Sequence, residues 1–270
     1  MEISTESVKV GHPDLVADII AANVIAAILD KEKKEKQGLN LANMPHCGLE
    51  VFLGKGICLV GGEVRTRVNV DIDKIARESV LELGYNHASV GLNGHLMGVL
   101  NAIIPQSPDI NQGTSCLLNK EGEIGAGDQG IMYGFACDDT KELLPLPYVL
   151  VNRLMRAFEY CQDPMFAPDG KGQVSVDYDI KTGKPQRVAK VLMSNAIDYR
   201  YVKGDRLKIR DKAKKIAFET LKDCVDKKTE FLFNPTGEWN AINSCSACLL
   251  YTSDAADDLL CVDLGGRRII

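Results

Sequence analysis

Residues 11–14 read Gly-His-Pro-Asp, and an apolar pattern of helical spacing starts immediately behind them. An imidazole and a carboxylate this close at a helix start raise a question about chemistry. The four residues alone leave a plain answer open. Pro13 and Asp14 begin the helix, Asp14 accepts from its free N–H groups and complements the positive end of its dipole, and His12 is a solvated loop residue. Two later stretches are also unusual. Residues 107–116, SPDINQGTSC, form a polar loop longer than a connection needs. Residues 122–139, GEIGAGDQGIMYGFACDD, hold five glycines within 13 positions, and Asp128 is the only charge inside GAGDQG. Glycines of this density let a backbone approach another surface closely or adopt positive φ; the alternative is a tight turn into a strand. The segment lacks the Gly-Lys-Ser/Thr ending of a phosphate-binding P-loop. Cys245 and Cys248 form a C-x-x-C with no second pair and no His cluster, which makes zinc a weak reading.

The elements that must position these residues follow from periodicity. Val16, Ile19, Ile20, Val24, Ala27 and Ile28 recur at helical spacing, and the KEKKEK run at 31–36 is expected to end that helix in solvent. Residues 49–54 and 57–70 alternate like two strands around a Gly54-Lys55-Gly56 turn. Asp71 or Asp73 caps a helix running through Leu83, with Gly84 as its stop. Residues 93–105 read equally as strand or helix. Residues 145–161 form a helix with prolines at its start. Residues 173–180 and 186–198 form a hairpin across KTGK, 210–225 an amphipathic helix, and 230–234 a strand. Two successive blocks of strand pair plus helices point to an α+β fold of repeated units, each a sheet with helices on one face.

The chain has 270 residues, enough for one large domain or two ordinary ones, and a formal charge of −5. That charge argues against a nucleic-acid binder driven by phosphate contacts. No apolar run is long enough to span a membrane, and residues 1–14 show no signal region. Six of the nine cysteines (47, 58, 116, 137, 161 and 224) are scattered singly among apolar neighbours, as in a reducing cytosol, so the expected compartment is cytoplasmic.

Taken together, TESVKVGHPD (5–14), LVGGE (59–63), QSPDINQG (106–113), GAGDQGIMYGFA (125–136), PDGKGQV (168–174) and FNPTG (233–237) occur in the order seen in the S-adenosylmethionine synthetase (methionine adenosyltransferase) family. The resemblance runs from about residue 3 to 239. It implies transfer of the adenosyl group of ATP to the sulfur of L-methionine, with the triphosphate displaced and then cleaved to phosphate and diphosphate. The sulfur needs no general base; stabilising the polyanionic leaving group is the difficult part, so positioning and cations carry the chemistry. The resemblance assigns His12 to the triphosphate near the breaking bond and Asp14 to Mg²⁺. It assigns Glu50 to K⁺, and Glu63, Gln106 and Asp128 to methionine. Asp169, Lys171 and Trp239 are assigned to ATP, with His12 and Lys171 in catalytic roles. Residues 106 to about 116 match a loop that closes over the site. A homodimer or dimer of dimers is implied, with sites shared between subunits.

The chain departs from the family pattern in places. Leu15 stands where the family carries Lys, Ala167 where it usually carries Arg, and Glu238 where it carries Arg. The family's later glycine-rich segment and third repeat have no counterpart, and residues 248–270 resemble the conceptual translation of a sequencing-library adapter. The expected organisation is therefore an N-terminal synthetase domain at 1–107, a central one at 113–239, and a non-homologous, adapter-derived tail at 241–270. The third repeat is missing. This fragment is expected to be inactive, although its parent is an enzyme. The competing expectations are a non-catalytic paralogue that binds ATP or methionine, and a structural subunit that pairs with an intact copy.

Overall fold

The computed structural model of the chain describes residues 1–35, 44–107, 130–161, 163–202 and 206–237. These residues contain seven strands and four α-helices in two compact units. One unit is built from residues 1–12, 83–93 and the described residues from 133 onward; the other from the described residues of 13–82 and 94–132. The mixed α+β class expected from the sequence is what is found.

In the second of these units, helix α1 (Pro13–Glu35) buries Val16, Ala17, Ile20, Ala21, Val24 and Ile28, a stripe at spacings of one, three and four. Strands β2 (His46–Gly54) and β3 (Ile57–Arg65) form an antiparallel hairpin closed by Lys55 and Gly56, and Gly56 has φ +77°. The hairpin buries Leu49, Val51, Leu53, Cys58, Val60 and Val64. Helix α2 (Ile72–Glu82) starts at Asp71, whose Oδ1 accepts from the Lys74 amide at 3.0 Å, so Asp71 rather than Asp73 is the cap. Strand β4 (Gly98–Pro105) runs parallel to β3 and resolves the open reading of 93–105 in favour of a strand. Leu100 and Ile104 of β4 are more than half exposed.

The lysine-rich end of α1 reaches solvent at Lys33, Lys34 and Glu35, as expected, but one residue of the run turns inward. Glu32 is fully buried, its carboxylate accepting from Thr66 Oγ1 (2.9 Å), the Arg67 amide (2.6 Å) and Arg67 Nε (2.8 Å). Strand β3 consequently stops at Arg65 instead of running to residue 70: residues 66 and 67 turn to meet Glu32.

The other unit is a four-stranded sheet in the order β1-β5-β6-β7. Strands β5 (Phe166–Tyr178) and β6 (Pro185–Ile197) form a hairpin, β1 (Glu2–Val8) adds antiparallel to β5, and β7 (Glu230–Phe233) adds parallel to β6. Helices α3 (Leu146–Tyr160) and α4 (Arg206–Thr220) pack on it. Leu150, Leu154 and Phe158 of α3 meet Val174, Val176, Val191 and Met193 in one apolar core. The order helix, hairpin, helix, parallel strand thus occurs twice along the chain: α1-β2-β3-α2-β4 and α3-β5-β6-α4-β7. Among the described residues no helix is long and apolar enough to cross a membrane.

Candidate functional site

His12, Asp169 and Lys171 lie at one end of the four-stranded sheet, and Glu63 and Gln106 at one end of the three-stranded sheet, in each case opposite the hairpin turn. In the four-stranded sheet, the C-terminal end of β1 lies beside the N-terminal end of β5, which lies beside the C-terminal ends of β6 and β7. The segment after β1 is fixed there by its backbone. Lys9 N–H donates to Gly170 O (2.8 Å), His12 N–H donates to Lys9 O (2.9 Å), and the Val10 amide donates to Glu159 Oε1 (2.7 Å). Tyr85 Oη donates to Gly11 O. Gly11 is buried so tightly on Pro168 that an added Cβ would fall 2.6 Å from the Pro168 carbonyl oxygen, so this position demands glycine. His12, half-buried, is carried at the end of this turn.

Asp169 and Lys171 lie two positions apart on β5. Gly172 faces Met155 of α3, so its neighbour Lys171 faces away from the helices and is exposed, whereas Asp169 is buried at 4% exposure. The next strands close the same end through two asparagines. Asn234 Oδ1 accepts from the Asn195 amide (2.9 Å) and Asn234 Nδ2 donates to Asn195 O (3.0 Å), so a side chain continues the β6–β7 ladder past the end of the strand. Asn234 has φ +42° and opens the NPTG turn, closed by Gly237 N–H on Asn234 O (2.9 Å). Three motif segments, GHPD, PDGKGQV and FNPTG, therefore meet at one sheet end. Lys9, Asn195 and Asn234 were not singled out in the sequence. Lys9 and Asn234 lie in or beside those motifs, whereas Asn195, on β6, carried no local signal.

In the three-stranded sheet, Glu63 sits near the C-terminal end of β3, half-buried, and Gln106 follows β4, its amide donating to Val64 O (3.1 Å). His46 begins β2 at the same end, with Arg65 beside its Nε2 at 3.2 Å. Burial and the Arg65 charge push the His46 imidazole below its ordinary pKa, against a hydrogen bond to the Gln106 side chain that raises it. Gln106 Oε1 is buried, with no further hydrogen-bond partner among the described residues. Glu50 is exposed, opposite Gly61 in the ladder, and so shares a sheet face with Glu63. Asp14 lies in the first turn of α1, half-buried.

Among the described residues no group of three His, Cys, Asp or Glu side chains is placed to hold a metal. Asp14 and Glu50 are single oxygen donors. Either could contribute a carboxylate to a hard cation that takes its other ligands from water or a bound phosphate. Asp128, Trp239, Glu238, most of the 106–116 loop and the C-x-x-C lie outside the described residues.

The comparisons with known proteins decide the family. Residues 1–108 match the model of the S-adenosylmethionine synthetase N-terminal domain, and residues 123–239 that of the central domain. The chain belongs to the S-adenosylmethionine synthetase family, a family of enzymes. It is 36% identical over 239 residues to an S-adenosylmethionine synthase of Myxococcus xanthus (strain DK1622), covering 87% of this chain and 56% of that protein. It is 36% identical over 247 residues to one of Helicobacter pylori (strain J99), covering 87% and 58%. The synthase of a Sulfurovum species (strain NBC37-1) is 40% identical over 195 residues, covering 71% and 47%. The chain spans about half the length of the curated relatives it matches. Residues 125–130 spell G-x-G-x-x-G, but they fall inside the central-domain match, and the dinucleotide motif needs a strand–turn–helix context that the family match does not supply.

Proposed function

We propose that the chain is the N-terminal and central part of a cytoplasmic enzyme that makes S-adenosylmethionine, phosphate and diphosphate from ATP and L-methionine. The observation that carries this reading is the meeting of GHPD, PDGKGQV and FNPTG at one end of one sheet. In this reading the exposed ammonium of Lys171 and the ring of His12 stand beside the triphosphate. His12 donates toward the oxygen that departs from C5′, and Lys171 offsets charge that accumulates there. Asp169 contacts ATP, and Trp239 stacks on adenine. In the other unit Glu63 accepts from the methionine ammonium, Gln106 Oε1 takes a donor from the same amino acid, and Asp128 lies near it. Asp14 would hold Mg²⁺ and Glu50 K⁺; such cations neutralise the leaving group.

The same reading treats the chain as repeated domains at 1–107 and 113–239, followed by a non-homologous tail at 241–270. The repeat is supported by the element order that occurs twice. It is supported further by an equivalence of detail: Gln106 and Asn234 each follow the parallel strand, and each donates its amide to the carbonyl of the last paired residue of the neighbouring hairpin strand, Val64 or Met193. A homodimer or dimer of dimers is supported by the open face of the small sheet, where Leu100 and Ile104 are exposed beside Glu50 and Glu63. No nucleic acid or membrane partner is proposed.

The test is to express residues 1–270, confirm a folded species by circular dichroism, and assay product from ATP, methionine, Mg²⁺ and K⁺. The chain as it stands is expected to make no S-adenosylmethionine, because Lys171 is the only cationic side chain of the matched set besides His12. Product above a His12→Ala control would overturn that. A second reading, a non-catalytic ATP- or methionine-binding paralogue, is favoured by Leu15, a half-buried apolar residue one position after Asp14. Hydrolysis of added tripolyphosphate by the full-length protein would rule it out.

A further inference from the structure

Among the described residues Lys9 is a buried cation that the proposed chemistry does not use. Lys9 is 3% exposed. Its ammonium donates to Ala167 O at 2.8 Å and to Asn195 Oδ1 at 3.0 Å. Asn195 in turn donates to the same Ala167 carbonyl (3.1 Å) and is held by Asn234. The slot is built for this side chain: a Cβ on Gly170 would fall 2.9 Å from Lys9 Cδ and 2.7 Å from Asn195 Oδ1. The carboxylates that act on the ammonium are those of Asp169 on β5 and Glu159 at the end of α3, and the thiol of Cys161 lies just beyond α3. Burial lowers its pKa to about 8, against those neighbours, so it is largely protonated at neutral pH.

We propose that Lys9 is a positioning residue for the nucleotide site: it ties the turn bearing His12 to the strand bearing Asp169 and Lys171, and its charge offsets that of buried Asp169. This rests on the reading of His12, Asp169 and Lys171 as phosphate-contacting. The need is physical. A buried carboxylate beside a polyphosphate repels it unless a fixed cation lies nearby, and Lys9 supplies one without touching the ligand. It also satisfies a carbonyl and an amide oxygen that would otherwise be buried without that donor.

The experiment measures binding of inorganic tripolyphosphate with Mg²⁺ to the 270-residue chain by calorimetry, with folding checked by circular dichroism. Lys9→Met is expected to weaken binding about tenfold, the order expected for one partly screened charge near a polyphosphate. Added to Asp169→Asn, it is expected to cause a smaller further loss than it causes alone, because its charge acts through Asp169 while its tie to the His12 turn does not. Purely structural roles would give additive losses, and additivity overturns the proposal. So does unchanged affinity in Lys9→Met when His12→Ala still weakens binding; that result leaves the site reading intact. If the unsubstituted chain binds no tripolyphosphate, the site reading itself fails and Lys9's role falls with it. Should Lys9→Met not fold, Gly170→Ala replaces it. That variant keeps every charge, displaces the lysine stem, and is expected to show the same loss and the same lack of additivity with Asp169→Asn.

Discussion

Glu32 shows how much one side chain can set at the residue scale. Burial raises its pKa, but hydrogen bonds from Arg67 and Thr66 and the Arg67 charge outweigh that and hold the carboxyl below its ordinary value. Its folded pKa is therefore depressed, and the stability it contributes is present above the unfolded carboxylate pKa and lost as pH falls through the folded value. Asp226, lowered to about 2 by Arg187, acts with the same sign. Urea unfolding should show stability falling progressively below about pH 4. Glu32→Ala, which leaves the Arg67 amide and the Thr66 hydroxyl without their acceptor, should cost about 2–4 kcal/mol at pH 7 and flatten that acid dependence. A substitution that leaves the urea midpoint unmoved would mean solvent replaces the carboxylate freely. Asp14 is a functional counterpart. In the full-length enzyme, Asp14→Asn should raise the Mg²⁺ requirement about tenfold and cut turnover more than methionine affinity. An unchanged Mg²⁺ dependence would remove Asp14 from the metal site.

At the scale of elements, the β2–β3 hairpin separates two kinds of glycine. Gly56 has φ +77° in open space, whereas Gly62 has φ +116° and an added Cβ would sit 2.0 Å from Gly48 O. Gly56→Ala should cost about 1–2 kcal/mol, the left-handed penalty alone. Gly62→Ala should cost about 3 kcal/mol or more, because strands must separate to admit it. Equal shifts in the two urea midpoints would contradict this difference. The elements were legible where periodicity was local: α1, α2 and α3 lie where their patterns put them, and both hairpins are present, although β3 ends five residues early and β5 starts seven residues early. Strand β1 was missed because EISTESV is short and polar and gains its place only by pairing with β5, a contact that no local pattern encodes. The site divides likewise. Motif spelling located His12, Asp169 and Lys171, but Lys9 reads as an ordinary surface lysine until the fold buries it. Glu32, inside a run of charges, misled for the same reason.

At the scale of the whole chain, the match to the central domain ends at residue 239. If 241–270 take no part in the fold, a chain ending at 240 should give the same thermal transition by circular dichroism as the 270-residue chain. A lower transition would show that those residues contribute to folding. The sheet bearing His12 has a further property, which concerns the order of its manufacture. Ser4 of β1 hydrogen-bonds Ser175 of β5 across 171 positions, and the Met1 ammonium donates to Tyr178 O. On a ribosome adding about 5–20 residues per second, the first strand waits on the order of ten seconds for its partner to emerge. During that interval α1 and the β2–β3 hairpin can already form, so nascent β1 hangs unpaired from a folding body. Its alternating Glu, Ser and Thr residues make it a poor template for premature association, a polarity that suits a segment required to wait.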